Sequence, residues 1–126
     1  MHKSRLGVVV IDCKTESLGE ASAFWAAALG RPYDAEASKK DPLYAVLTGD
    51  PAEIPVLVQK VEHDSRVHLD IETDDVDAEC KRLEALGAKR LGPVKGWVVM
   101  EAPSGQRFCL VKPQRPDFAE NANSWS

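Results

Sequence analysis

Long apolar runs are missing from this 126-residue chain, and no stretch approaches the ~20 residues that a membrane-spanning helix needs. Basic residues are not in excess either: 16 Lys and Arg stand against 20 Asp and Glu, a net charge of −4. That balance, without any cluster of Lys and Arg interleaved with aromatics, argues against a nucleic-acid-binding surface. Lys39-Lys40 and Lys89-Arg90 are read as solvated loop pairs. Cysteine is sparse, and Cys13, Cys80 and Cys109 are an odd number with no Cys-x-x-Cys pair. A disulfide framework is therefore not expected, and reduced thiols are. Met1 to Arg5 runs straight into a strand-like segment without a targeting pattern. A soluble cytoplasmic protein, with neither nucleic acid nor membrane as partner, is the expectation.

What the chain does have is a repeat. Ser17 to Gly30 and Asp74 to Gly87 each read as a capped helix closing on Ala-Leu-Gly, and their final glycines at 30 and 87 lie 57 residues apart. An internal duplication explains this better than one irregular domain. Ser17-Leu18-Gly19-Glu20 has the form of a capping box. Leu18, Ala21, Trp25, Ala28 and Leu29 share one stripe of the first helix, and Val76, Cys80, Leu83 and Leu86 one stripe of the second.

Alternation and turn residues supply the strands: Leu6 to Cys13, a short one at Pro32-Tyr33, Leu43 to Leu47 and Ile54 to Val61 in the first half. The second half gives Val67 to Glu72, Arg90 to Val94, Trp97 to Glu101 and Arg107 to Lys112, the last after the turn Pro103-Ser104-Gly105. Each half is thus β-α-β-β-β. Ala35 to Pro42 reads as a polar loop, and residues 114–126 as a coil tail, either packed through Phe118 or Trp125 or disordered. In the strand from Val67, alternation places Val67, Leu69 and Ile71 on one face and His68, Asp70 and Glu72 on the other.

The duplicated unit, Phe24-Trp25 before Ala28-Leu29-Gly30, the entry Arg66-Val67-His68-Leu69-Asp70 and the closing Pro103-Ser104-Gly105-Gln106-Arg107-Phe108-Cys109-Leu110-Val111 together resemble the glyoxalase, bleomycin-resistance and extradiol-dioxygenase superfamily, in its glyoxalase-like branch. The resemblance implies an α+β vicinal oxygen chelate fold: two tandem βαβββ modules, mixed eight-stranded sheets forming an open cup, and helices outside. It implies one glyoxalase-like domain over 1–113, with module one at about 5–62 and module two at about 66–113, and a tail over 114–126. A homodimer is implied as well.

In metal-using members the ion is held from the first and last strand of each module. Carried onto this chain, those places fall at Val8, Gln59, His68 and Cys109. Val8 cannot ligate, and Gln and Cys stand where a carboxylate is usual, so a degenerate site without cofactor is the expectation. The alternative is a divalent metal on His68, Gln59 and Cys109, with Asp70, Glu72 or Asp12 substituting on the same faces. Cys109 with His68 also reads as a nucleophile pair, against a small core thiol as the plainer reading. Trp97 is either an aromatic wall for a planar ligand or core, and Tyr33 and Tyr44 have no fixed direction. Ligand-binding candidates are therefore His68, Gln59, Asp70, Glu72, Trp97 and Cys109. The expected function is small-molecule binding; the alternatives are a metal-dependent lyase, isomerase or dioxygenase on a small oxygenated substrate, and a structural dimer with a vestigial cup.

Overall fold

The computed structural model describes residues 1–94 and 96–126. Among the described residues nine strands and four helices run in the order β1 His2–Lys14, α1 Leu18–Leu29, β2 Tyr33–Asp34, α2 Ala35–Ser38, β3 Tyr44–Leu47, β4 Val56–Val61, β5 Arg66–Thr73, α3 Val76–Ala85, β6 Lys89–Val94, β7 Trp97–Glu101, β8 Arg107–Val111, α4 Phe118–Asn121 and β9 Asn123–Trp125. The α+β class and the repeated βαβββ order are those expected. Differences lie at the edges: β1 begins four residues earlier, the loop after β2 contains the single turn α2, and the tail holds α4 and β9.

The chain forms two compact units, one of Val8–Val67 and one of Met1–Gly7 with His68–Ser126. In the first, the strand order is β2-β3-β4-β1. β1 and β4 are parallel while β2, β3 and β4 are antiparallel neighbours. The core is Ala45, Leu47 and Val58, covered by Leu18, Ala21, Trp25 and Ala26 of α1. Ala28 and Leu29, expected on this stripe, are exposed; Ala26 takes their place one turn earlier. Ser17 caps the helix by accepting the Glu20 amide at 3.1 Å, and Gly30 ends it at φ 66°, where a side chain would be strained.

In the second unit the order is β5-β8-β7-β6, with β5 and β8 parallel and the remaining pairs antiparallel. Its core is Cys80, Val98, Met100 and Leu110, with Ile71, Val76, Leu83, Ala88 and Phe108 packed on it. Met100 and Leu110 are wholly buried, each contributing roughly 1.5–3 kcal/mol by leaving water. Leu86 does not join its expected stripe and is 67% exposed, because the helix proper stops at Ala85 and the chain turns away through Gly87. The cap is Asp75, which accepts the Ala78 amide at 3.0 Å; Asp74 instead accepts the Lys3 amide of β1 at 2.8 Å.

The tail is ordered through both of its aromatics. Phe118 is buried, and β9 pairs antiparallel with the start of β1, His2 opposite Trp125 and Ser4 opposite Asn123. On α3 the wholly buried Glu79 gathers this corner. Its carboxylate accepts His2 Nε2 and Ser4 Oγ at 2.7 Å each, and Arg82 Nε and Nη2 at 2.8 Å each. Trp125 Nε1 donates to Ser4 Oγ at 2.8 Å, and the Arg82 guanidinium lies 3.9 Å from the Trp125 ring centre.

Candidate functional site

Strand register sorts the second unit into two faces. Leu110 lies opposite Ile71 and Val98, all on the core beneath α3, so their sequence neighbours face the other way. On that other face Asp70 is opposite Cys109, and Cys109 is opposite Val99. Trp97 is two residues from Val99 and therefore shares its face, which answers the question that alternation alone left open. The tryptophan belongs with His68, Asp70 and Cys109 rather than with the core.

Three of these side chains converge. One donor atom from each of His68, Asp70 and Cys109 lies within 4.8 Å of the other two, and His68 Nε2 is 3.3 Å from Asp70 Oδ1. The imidazole and carboxylate are only 12% and 16% exposed. Asp70 Oδ1 is buried, with the His68 imidazole as its polar neighbour at a distance longer than a well-formed hydrogen bond. Burial pushes the other two thiols, Cys13 and Cys80, upward, so they are inert core groups.

Glu72 continues the row from His68 and Asp70, but it is already committed. It is wholly buried and accepts Arg5 Nε at 2.6 Å and the Gln114 amide at 2.8 Å, with Arg115 Nε at 3.5 Å. Arg5 reaches on to Asp117 at 2.7 Å and lies 5.7 Å from the Phe118 ring centre. Arg5 and then Asn121 hold the Asp117 carboxyl down at about 2. Arg5, Arg115 and Asp117 were not singled out from the sequence. The signal was the candidate Glu72 itself, because a carboxylate on a central strand demands a cationic partner. Gly7 lets this strand approach closely: a Cβ there would stand 3.2 Å from Glu72 Cβ and Cγ and 3.3 Å from the Asp70 carbonyl oxygen. Gly7→Ala is accordingly expected to destabilise the fold by about 1–3 kcal/mol through overpacking, readable as a lower urea midpoint with an unchanged slope.

In the first unit the matching place is differently furnished. Asp12 lies opposite Gln59, as Asp70 lies opposite Cys109. Val8, the place expected to match His68, and Val10 beyond it are both buried and offer no donor atom. Asp12 is buried, with Arg66 Nε 3.4 Å from its Oδ2. Tyr44 lies opposite Gln59 and shares its face. Tyr33 is half exposed and lines, with Leu18, Gly19, Ser22, Ala23 and Ala45, a crevice of about 310 Å³ beside α1.

A hard divalent ion shared among the four family places does not fit these residues. Val8 offers no donor, Gln59 is neutral, and the last-strand place of the second unit is a thiol, so the set lacks the carboxylates such an ion requires. What does exist is the His68, Asp70 and Cys109 group.

The comparisons agree with this architecture. The family described as Glyoxalase-like domain matches residues 8–111, while no curated protein matches the chain. Among solved structures, NAD-dependent benzaldehyde dehydrogenase from Legionella pneumophila superposes with a TM-score of 0.60 at 12% identity, covering 85% of this chain and 98% of that one. Methylmalonyl-CoA epimerase from Mycobacterium tuberculosis gives 0.55 at 17% identity, covering 91% of each chain. A glyoxalase/bleomycin resistance protein/dioxygenase superfamily member from Vibrio splendidus 12B01 gives 0.53 at 16% identity, covering 85% of this chain and 98% of that one. At such identities the likeness is one of fold. No helix among the described residues is long and apolar enough to cross a membrane.

Proposed function

Because the chain belongs to the glyoxalase-like domain family, we propose that it is a small-molecule-binding protein in which the four-place metal chelate has degenerated. The observation that carries this reading is the chemistry at the family places: in the first module Val8 and Gln59 are apolar and neutral, and the neighbouring Asp12 is buried against Arg66. In its place the second module offers a binding face of mixed character. Trp97 and Val99 give it an apolar, aromatic part, and His68, Asp70 and Cys109 a compact polar part. Such a face suits a planar molecule bearing an oxygen or nitrogen hydrogen-bonding group. A cytoplasmic homodimer is the proposed working form.

The test is a thermal-shift screen of planar hydroxy and carbonyl compounds with a chelator present throughout. A ligand at 100 times its Kd is expected to stabilise the protein by about 2.7 kcal/mol. Trp97→Ala should remove most of that shift while leaving the unliganded Tm within a few degrees. Binding that appears only after a divalent ion is restored would overturn the reading in favour of a metal-dependent enzyme acting on a small oxygenated substrate. The convergence of His68, Asp70 and Cys109 is what favours that second reading.

A further inference from the structure

We propose that the outer face of α1 is the surface on which a second copy of this chain docks, the Phe24 ring of each copy seated in the other's crevice beside α1. The inference rests on the homodimer put forward above and assigns its interface.

The repeat supplies the first observation. Counted back from the closing glycines at 30 and 87, Gly19 and Ala23 of α1 stand where α3 has Val76 and Cys80. In the second unit those two side chains fill core space, Val76 packed on the cluster and Cys80 Sγ 3.7 Å from Met100 Sδ. In the first unit Gly19 and Ala23, together with Ala45, leave the crevice of about 310 Å³ open, with Tyr33 as its aromatic wall. That is about twice the ~150 Å³ apolar cavity that takes up a benzene ring.

The second observation is polarity. By the same count the exposed Phe24 and Ala27 stand where α3 exposes Lys81 and Glu84, and Glu20 is the sole charge along α1. A helix whose outer face meets water carries polar residues there. Phe24 is instead 62% exposed, beside a hole able to hold its ring.

Geometry selects the occupant. At about 100° per residue, Phe24 lies about 100° round the helix from Ala23 and about 140° from Gly19, so ring and crevice occupy opposite flanks of the outer face. A two-fold axis running along the helices exchanges those flanks, and one patch then serves both copies. A small ligand in the crevice would leave Phe24 in water, whereas a second copy covers both. Phe24 and Tyr33, the latter 52% exposed, present roughly 170–280 Å² of aromatic surface. Doubled by symmetry and extended by the crevice walls and the rest of the helix face, this approaches the ~1,000 Å² expected of a specific interface.

Sedimentation equilibrium of the full chain tests this. The wild type is expected to show the mass of two chains at high concentration and to dissociate on dilution. Phe24→Lys, which gives α1 the charge of its repeat, should weaken dimerisation by roughly 100-fold or more, since each dimer loses the ring twice. The double variant Gly19→Val/Ala23→Leu, which fills the crevice, should also weaken it while leaving Tm unchanged or higher; a Cβ at Gly19 has room, with Ser17 Oγ 3.8 Å away. Lys81→Ala on α3 should leave the dimer intact. Circular dichroism establishes folding, and if the double variant is unfolded Phe24→Lys decides alone. A dimer unweakened by Phe24→Lys or by the folded double variant would overturn this surface while the homodimer stands. A wild type that stays one chain at every concentration would overturn both. If that monomer were stabilised by indole and the double variant were not, the crevice would belong to a small ligand instead. None of these outcomes bears on the Trp97 face, which the thermal-shift screen reads separately.

Discussion

Replacing Glu79 by alanine is expected to lower Tm by roughly 10–20 °C. The carboxylate is wholly buried and accepts four hydrogen bonds, from His2, Ser4 and both faces of the Arg82 fork. Removing it leaves the Arg82 cation and two polar side chains without their common acceptor. Breaking a buried ion pair from one side costs about 3–5 kcal/mol, and for a domain of this size each kcal/mol moves Tm by about 3–5 °C. The site also carries a pH signature. Burial opposes ionisation of Glu79, but the hydrogen bonds from Arg82, His2 and Ser4 outweigh it and hold the carboxyl at about 2, below its ordinary 4.5. A depressed carboxyl stabilises the fold fully above its unfolded value and loses that contribution as pH falls toward the folded one. The Tm gap between wild type and Glu79→Gln is therefore expected to be widest above pH 5 and to narrow between about pH 4.5 and 2. Asp117 titrates in the same window, so the comparison with the variant, rather than the wild-type curve alone, isolates Glu79. A gap that stays constant down to pH 2 would contradict this account.

The second large effect is expected at Glu72. Glu72→Ala strands Arg5, whose guanidinium is 11% exposed, and withdraws the acceptor of the Gln114 amide. The cost is again about 3–5 kcal/mol, but its consequence is local as well as global. The stretch from Gln114 to Phe118 loses its central anchor, so limited chymotrypsin digestion is expected to cut after Phe118, which the wild type buries, much sooner in the variant than in the wild type. Asp117→Asn, which weakens only the exposed end of the Arg5 bridge, should leave the cleavage rate close to wild type. Equal protection of Glu72→Ala and wild type would show that β9 alone secures the tail.

The sequence revealed the architecture because two physical patterns recur in it. Ser17 and Gly30 mark the ends of α1 through chemistry local to those residues, and Trp97 to Glu101 was legible as β7 with its bounds intact. Alternation likewise put His68 and Asp70 on one face of β5. The departures have a common origin in contacts between residues distant along the chain. Asp74 is drawn away from capping by Lys3, 71 residues earlier. Glu72 looks like a free member of a polar row until Arg5, 67 positions away, and the tail close on it. Leu86 and Leu29 fit helical stripes, but Leu86 lies just past the end of α3 and Leu29 is the last residue of α1, and both stay exposed. The direction of Trp97 needed the register between β7 and β8.

β1 is divided between the two units, its first residues serving the one that otherwise begins at His68. A chain that grows from its N-terminus must therefore hold His2 and Ser4 in readiness until Glu79 emerges, 77 and 75 residues later. Loop closure over such spans is slow relative to local pairing, so the earliest-made strand is completed only after most of the chain exists. Severing the protein between its apparent repeats would consequently not yield two self-sufficient halves: the later fragment would leave its own first strand behind.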